Sequence, residues 1–212
     1  MHNESMNNKY IMLTPAGVYA VVNQEDKGAG YHLLLNILSE STTPLLSVDA
    51  IKRWSGLEAG AALNLLAKLQ ASNLVQPLDT PKTCSSEPLE RLLPKLISPL
   101  CDGEFALLAD PQGFYMARNG FEHGTAEELA AISATLATMY YRHKTLFQST
   151  LGVNSKAWGL VNPAGNSELG FWPLEIGKYR FSLVLAGRPR FNQPAFVELV
   201  WALSSRYAKE AH

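Results

Sequence analysis

The chain has few of the residues that build metal sites, disulfide frameworks or membrane spans. It contains two cysteines and five histidines in 212 residues, and no two histidines are spaced as ligands on one helical turn. Two cysteines are too few for a disulfide scaffold, which predicts a reduced, cytoplasmic setting. Because no run approaches about 20 apolar residues, we predict neither membrane insertion nor secretion.

Positive and negative side chains are nearly balanced. Eighteen Lys and Arg side chains stand against 19 Asp and Glu, so the net charge is −1. Such a balance gives no global field to hold a polyanion. Neighbouring Glu127 and Glu128 would point in different directions on a helix, and Gly28-Ala29-Gly30 matches no phosphate-binding fingerprint. We therefore predict a protein that is not an enzyme, with no catalytic residue, no cofactor and no metal.

Apolar residues, by contrast, make up 47% of the chain, enough for one good core or two modest ones. A polar segment with one proline and no periodicity, residues 79–86, separates two apolar regions. Such a segment is typical of a connection between domains. We place one domain at residues 1–80 and a second at residues 87–212.

The first domain begins with two β-rich runs, residues 10–13 and 18–22, which flank Pro15 and Gly17 and predict a hairpin. Three helical patterns and a short extended segment near Val75 follow, and Ser47 is a good N-cap for the second helix. Residues 28–78 thereby resemble the winged-helix variant of the helix-turn-helix. In DNA-binding members the third helix enters the major groove.

That third helix, residues 58–68, offers Asn64 and Lys68 but no arginine. Affinity for DNA depends on cationic side chains that neutralise phosphates, and few are present here. We therefore favour a winged-helix-like domain used for packing or protein contact. A DNA-binding transcription regulator whose second domain mediates dimerisation remains the alternative.

The second domain has a regular order of patterns. A leucine-rich stretch interrupted by Pro94 and Pro99 predicts a short or bent helix, and a hairpin turns at residues 110–113. A capping box at Thr125 and Glu128 predicts the start of a long helix that runs to about residue 147. Three strands and a closing helix follow, which completes an α+β domain.

This order of helices and strands, together with the amino-acid sequences of residues 104–113 and 125–131, resembles the roadblock family of light-chain-type domains, which are related to longin and profilin folds. The resemblance implies a five-stranded antiparallel sheet packed with helices. It further implies a homodimer formed through an edge strand and the long helix, and non-enzymatic work as a scaffold or regulator of a Ras-like small GTPase.

Two stripes run along the predicted long helix. Larger apolar residues suit the side that faces the sheet: Leu129, Ile132, Leu136, Met139, His143 and Phe147. A second stripe is a candidate dimer seam: Ala130, Ala134, Ala137 and Tyr141. High helix propensity is an equally good explanation of the alanines, and the resemblance favours the seam.

Other candidate contact residues are large or cationic. Trp158, in the strand after the long helix, would mark the dimer interface if it were exposed near a sheet edge. Tyr140 and Arg142, beside the seam, are candidate partner-binding residues, with Arg188 and Arg190 as outlying charges. Ordinary solvated loop charges are the alternative explanation of these last two arginines.

Overall fold

The computed structural model describes residues 9–23 and 27–208. By internal contacts the chain divides into two compact units. The first unit runs to Ser86 and also includes Ile176–Lys178 and the chain from Phe196 onward, whereas the second comprises Glu87–Glu175 and Tyr179–Ala195. The predicted domains, residues 1–80 and 87–212, differ from this division in the placement of the C-terminal segment, and as folding units they stay a prediction.

The first unit is mainly helical. Its elements are β1 (Tyr10–Leu13), α1 (Pro15–Asn23), α2 (Ala29–Ser39), α3 (Val48–Ser55), α4 (Ala59–Ala71) and β2 (Val75–Leu78). Helix α7 (Pro194–Tyr207) belongs to this unit from Phe196 onward. The Trp201 indole N–H donates to the carbonyl oxygen of Glu40 at 2.7 Å. Contacts of this kind explain why α7 groups with the N-terminal part of the chain.

The predicted N-terminal hairpin is wrong, because its second strand is helix α1. Pro15 takes the first helical position, where its missing N–H is no loss, and the Gly17 N–H donates to Thr14 Oγ1 at 3.1 Å. Val18, Val21 and Val22 are buried at helical rather than alternating spacing. Strand β1 pairs antiparallel with β2 instead, with Leu13 opposite Val75.

The three predicted helices of this unit are confirmed as α2, α3 and α4. Ser47 caps α3 as expected, since its Oγ accepts from the Ala50 N–H at 3.2 Å. Gly56 ends that helix in the left-handed region at φ 69°. The winged-helix assignment itself stays a prediction.

The second unit contains a five-stranded antiparallel sheet in the order β4-β3-β7-β6-β5. Its strands are β3 (Ala106–Ala109), β4 (Tyr115–Asn119), β5 (Trp158–Val161), β6 (Ser167–Ile176) and β7 (Tyr179–Ala186). Helices α5 (Leu89–Ile97) and α6 (His123–Arg142) pack on it. The sheet with packed helices, expected from the roadblock resemblance, is confirmed.

Helix α6 departs from the prediction at both ends. It begins at His123, and the Ala126 N–H donates to the Glu122 carbonyl at 2.9 Å. Thr125 therefore lies within the first helical turn, and the predicted capping box is wrong. The helix ends at Arg142, and a separate π-helical turn, Leu146–Thr150, follows it.

Candidate interaction surface on the second unit

The face of α6 that contacts the sheet includes two small, fully buried residues. Ala126 and Ala130 are fully buried and form one cluster with Leu107, Ala109 and Val184 of the sheet. Small side chains let the helix axis come close to the strands. The prediction that Ala130 lies in an exposed dimer seam is therefore wrong, because its exposed fraction is 0%.

The opposite side of α6 carries larger apolar residues that contact solvent. Ile132 is 45% exposed and Met139 is 36% exposed, although the sequence placed both against the sheet. Leu129 and Leu136 do pack against the sheet cluster, as predicted, and are half-buried. We call Ala131, Ile132, Thr135, Thr138 and Met139 the outer face of α6.

The outer face contains two threonines but behaves as an apolar surface. The hydroxyls of Thr135 and Thr138 donate to the carbonyls of Ala131 and Ala134 at 3.0 and 2.9 Å. Both threonines therefore satisfy their polar groups within the helix. No charged residue occurs between Glu128 and Arg142. A shallow groove runs along this side, lined by Ala134, Thr135, Thr138, Met139 and Arg142.

Strand β5 forms one edge of the sheet. It pairs with β6 on one side, with Trp158 opposite Phe171, and within the part of the chain that the structure describes no strand pairs with its other side. Leu160 and Val161 are each 63% exposed, and the strand itself contains no charged residue or proline. Uncharged, unprotected edge strands are available for pairing with another chain.

The aromatic residues predicted for these surfaces are largely occupied within the chain. Trp158 is half-buried, and its ring meets that of Phe147 edge-to-face at 5.7 Å. Tyr140 is only 2% exposed, so the prediction that it is an exposed contact residue is wrong. Its ring stacks on Phe147 at 5.8 Å, and its hydroxyl accepts from Gln148 Nε2 at 3.0 Å. It lies seven residues after Ser133, on the same buried side of α6.

Tyr141 belongs to a buried polar cluster at the end of α6. Its hydroxyl donates to Glu175 Oε1, and the same oxygen accepts from Lys156 Nζ at 2.9 Å. The Arg180 guanidinium carbon lies 3.8 Å from the centre of the Tyr141 ring. Burial and the bond to Glu175 raise the pKa of Tyr141 well above its usual value. The cluster ties the segment that leads to β5 onto β6.

The three predicted arginines have different environments. Arg142 is exposed at the end of the groove along α6. Arg188 is held by Asp102, since its Nε lies 3.0 Å from Oδ2 and its backbone N–H donates to Oδ1 at 2.6 Å. These bonds lower the pKa of Asp102. Arg190 is exposed, and its backbone N–H donates to the Leu100 carbonyl at 2.6 Å.

Sequence reasoning missed Phe114, which lies next to the β3–β4 turn. Its side chain is the most exposed large apolar group among the described residues. The preceding Gly113 has φ 90°, and a Cβ there would lie 3.2 Å from the Cβ of Ala134. The turn therefore packs closely against α6. The sequence does show an aromatic residue directly after the Asp-Pro-Gln-Gly turn, which was the available signal.

Metal-binding and membrane-spanning features were also sought. Within residues 9–23 and 27–208, no three His, Cys, Asp or Glu side chains are grouped as metal ligands. No helix in those residues is both long and apolar enough to cross a bilayer. Cys84 and Cys101 are free thiols, and burial raises the pKa of Cys101. The exposed apolar side chains of α6 and β5 therefore form the main candidate site of the second unit.

Comparison with solved structures returned roadblock-type domains. A Roadblock/LC7 domain from Streptomyces avermitilis is 14% identical, with a TM-score of 0.36, over 58% of this chain and 97% of that one. MglB from Myxococcus xanthus is 15% identical, with a TM-score of 0.34, over 59% and 92%. The gliding protein MglB from Thermus thermophilus is 18% identical, with a TM-score of 0.34, over 60% and 92%. No protein-family model and no curated protein matches the chain.

Proposed function

We propose that this protein is a non-enzymatic interaction or regulatory module that works as a homodimer in the cytoplasm. The observation that carries the proposal is the outer face of α6, an exposed and uncharged helical surface on a domain with an open sheet edge. Exposed apolar patches of this kind commonly mark protein contacts. The free thiols of Cys84 and Cys101 agree with a reducing compartment.

A second copy of the chain is the occupant that fits this surface. A two-fold dimer brings each patch against itself, so a charged patch would repel its own copy. The run from Leu129 to Tyr141 has no charge and avoids this repulsion. Strand β5 supports the same symmetry, because an edge strand can pair antiparallel with its own copy about a two-fold axis.

The proposed interface keeps four of the dimer-interface residues predicted from the sequence but has different residues at its centre. Ala134 lines the groove beside Met139, and Ala137, Tyr141 and Trp158 are half-buried, so these four remain proposed contributors at its margin. Ile132 and Met139 take the central place, because they expose the largest apolar side chains of α6. Leu160 supplies the apolar contact from β5.

Sedimentation tests the dimer directly. We expect a mass about twice 23.3 kDa at micromolar concentration. Ile132→Glu and Leu160→Lys should each shift the protein to monomer, because a charge would be desolvated in the contact. Leu45→Glu is the matched control, since Leu45 of the first unit is 47% exposed but lies outside the proposed interface. A monomeric parent protein, or equal loss with the control, would contradict the proposal.

The dimer would offer a composite surface to a globular partner, and the roadblock resemblance makes a Ras-like small GTPase the candidate. Arg142, Arg188 and Arg190 remain proposed partner contacts. Phe114 replaces Tyr140 as the aromatic anchor, because Tyr140 is buried and Phe114 is exposed. Aromatic and Arg side chains are the residues that most often carry binding energy at such contacts.

A further inference from the structure

Three side chains that the proposed function does not use meet where α6 begins. Tyr115 is the first residue of β4, His123 is the first residue of α6, and Glu127 follows His123 by about one helical turn on the same side of the helix. The Tyr115 hydroxyl lies 2.8 Å from His123 Nδ1, and His123 Nε2 lies 3.6 Å from Glu127 Oε1. The imidazole therefore stands between a phenol and a carboxylate.

An irregularity in the sheet directs Tyr115 toward α6. Tyr115 lies opposite Ala109 across a break in the β3–β4 register, at which Met116 is the extra residue. Such bulges change the direction in which a side chain points. Residues directly opposite each other share a face, so Tyr115 packs against the buried cluster that includes Ala109. Its ring meets the His123 ring edge-to-face at 5.7 Å, and packing thereby holds the phenol beside the imidazole.

The carboxylate of Glu127 determines which imidazole nitrogen can act on the phenol. A carboxylate only accepts, so it favours the neutral imidazole that carries its proton on Nε2. Nδ1 then has a free lone pair, to which the Tyr115 hydroxyl donates. A nucleophile, a base and a group that orients the base thus follow one another, which is the arrangement that activates hydroxyl side chains. The His123 and Glu127 side chains are 65% and 61% exposed, so a small reagent can reach the group from solvent.

We propose that Tyr115 is an acylation site, whose phenol accepts an acyl group from a small activated ester. The phenol oxygen forms a bond to the carbonyl carbon of the ester while His123 Nδ1 takes the phenol proton. The bond from that carbon to the leaving oxygen then breaks, and the alcohol part departs as its anion. Glu127 stabilises the imidazolium until the proton passes to solvent. The product is an acyl ester on Tyr115, formed once per chain.

Reaction of the full chain with p-nitrophenyl acetate tests this site, with peptide mass spectrometry to follow each tyrosine. Tyr19 of α1 is the internal reference, because it is 41% exposed whereas Tyr115 is half-buried. Access alone would make Tyr19 react faster, and assistance by a base predicts the reverse. Hydroxylamine should remove the acetyl group from Tyr115, since it cleaves phenyl esters and spares amides.

Two variants of His123 test the base. His123→Ala and His123→Gln should each lower the rate at Tyr115 about 100-fold, the smaller end of what a positioned base contributes. The glutamine keeps a hydrogen-bond partner for the phenol but cannot take its proton. The rate at Tyr19 should stay unchanged in both variants, which also reports that the chain is folded. His143→Ala is the matched control, because His143 is an exposed histidine at the other end of α6.

Glu127 is a positioning residue, and its contribution must pass through the imidazole. Glu127→Gln should lower the rate at Tyr115 about threefold, as expected for an exposed ion pair, and should have no effect once His123 is alanine. Faster reaction at Tyr19 than at Tyr115 would overturn the proposal, as would an unchanged Tyr115 rate in the His123 variants. A label on Tyr115 that resists hydroxylamine would also overturn it. These readouts concern one chain and are separate from the dimer test.

Discussion

Gly17 lies where α1 passes the backbone that follows α4. A Cβ at this position would lie 1.9 Å from the carbonyl oxygen of Leu74 and 2.8 Å from its carbonyl carbon. The Leu74 carbonyl also accepts a hydrogen bond from the N–H of Thr14, directly before α1, at 3.1 Å. This bond fixes the carbonyl beside the first turn of α1. Glycine is required here by close approach of two backbones, whereas the sequence suggested a turn.

Gly17→Ala should therefore destabilise the protein by about 3 kcal/mol, because backbone atoms must move to admit the methyl group. Gly60→Ala is the matched control, because Gly60 lies in α4 and, apart from its neighbours in the chain and the backbone of its own helix, no described atom lies within 4 Å of the added carbon. It should stabilise by about 0.5–1 kcal/mol, since alanine loses less entropy in a helix. Urea unfolding measures both. Similar unfolding midpoints for the two variants would contradict this account of Gly17.

At the scale of elements, spacing predicted α6 and its two stripes but not which stripe is buried. The alanine stripe suits an outer seam or a close contact with a sheet equally well, because small residues favour both. Burial of Ala130 and exposure of Ile132 are decided by the strands beneath, which the helix sequence does not contain. The sequence therefore predicted the helix but not which of its sides is buried, and the dimer interface itself stays a prediction.

The error at α1 has a different cause. Valine at positions 18, 21 and 22 favours strands by propensity, but tertiary packing buries these side chains on one face of a helix. The true partner of β1 is β2, some 60 residues away, and local pattern cannot identify so distant a pairing. The β3–β4 hairpin and the meander were predictable because their turn residues lie next to the strands they join.

Helix α4 bears on the DNA-binding alternative. Gly60, Ala61 and Asn64 are exposed, and Lys68 is the single cation of this helix. On the preceding helix, Lys52 Nζ lies 3.7 Å from Glu58 Oε2, which offsets part of the positive charge nearby. Few cations remain to release counterions from a phosphate backbone.

We therefore expect weak or absent nucleic-acid binding at physiological salt. A mobility-shift titration with duplex DNA measures it. Retention at nanomolar protein that is sequence-selective, falls steeply with salt and is lost in Asn64→Ala or Lys68→Ala would instead establish the transcription-regulator alternative. Leu45→Ala serves as a control for nonspecific loss of folding, since Leu45 is exposed elsewhere in the first unit.

At the scale of the whole molecule, a net charge of −1 gives no long-range attraction to any one class of partner. Recognition must then depend on local surfaces, of which the second unit offers the apolar outer face of α6 and the separate exposed groups Phe114 and Arg142. The order of the main helices and strands in the second unit was readable because each has its own periodicity. The cluster of Tyr141, Lys156 and Glu175 was not, because it joins side chains that only the folded sheet brings together.

If the protein forms the proposed dimer and its partner is a Ras-like GTPase of the same host, the dimer should bind that GTPase and change its rate of nucleotide release. Phe114→Ala and Arg142→Ala should each weaken that complex about tenfold or more while the dimer persists, as expected for contact anchors. Lys95→Ala, which removes an exposed lysine paired with Glu87, is the control. Fluorescent-nucleotide release and gel filtration give the readout; no complex and an unchanged rate would exclude this partner.

The pairing of Lys156 with Glu175 also has a consequence for covalent modification. Lysine acetyltransferases, and proteases that cleave after lysine, must draw the side chain into their own active sites. The Lys156 side chain is 4% exposed and its ammonium contacts a carboxylate, so the folded chain withholds it from such enzymes. Ser155, directly before it, is exposed, whereas the Lys156 side chain is buried. Its charge is therefore a fixed part of the fold, beyond the reach of signalling chemistry that acts on surface lysines.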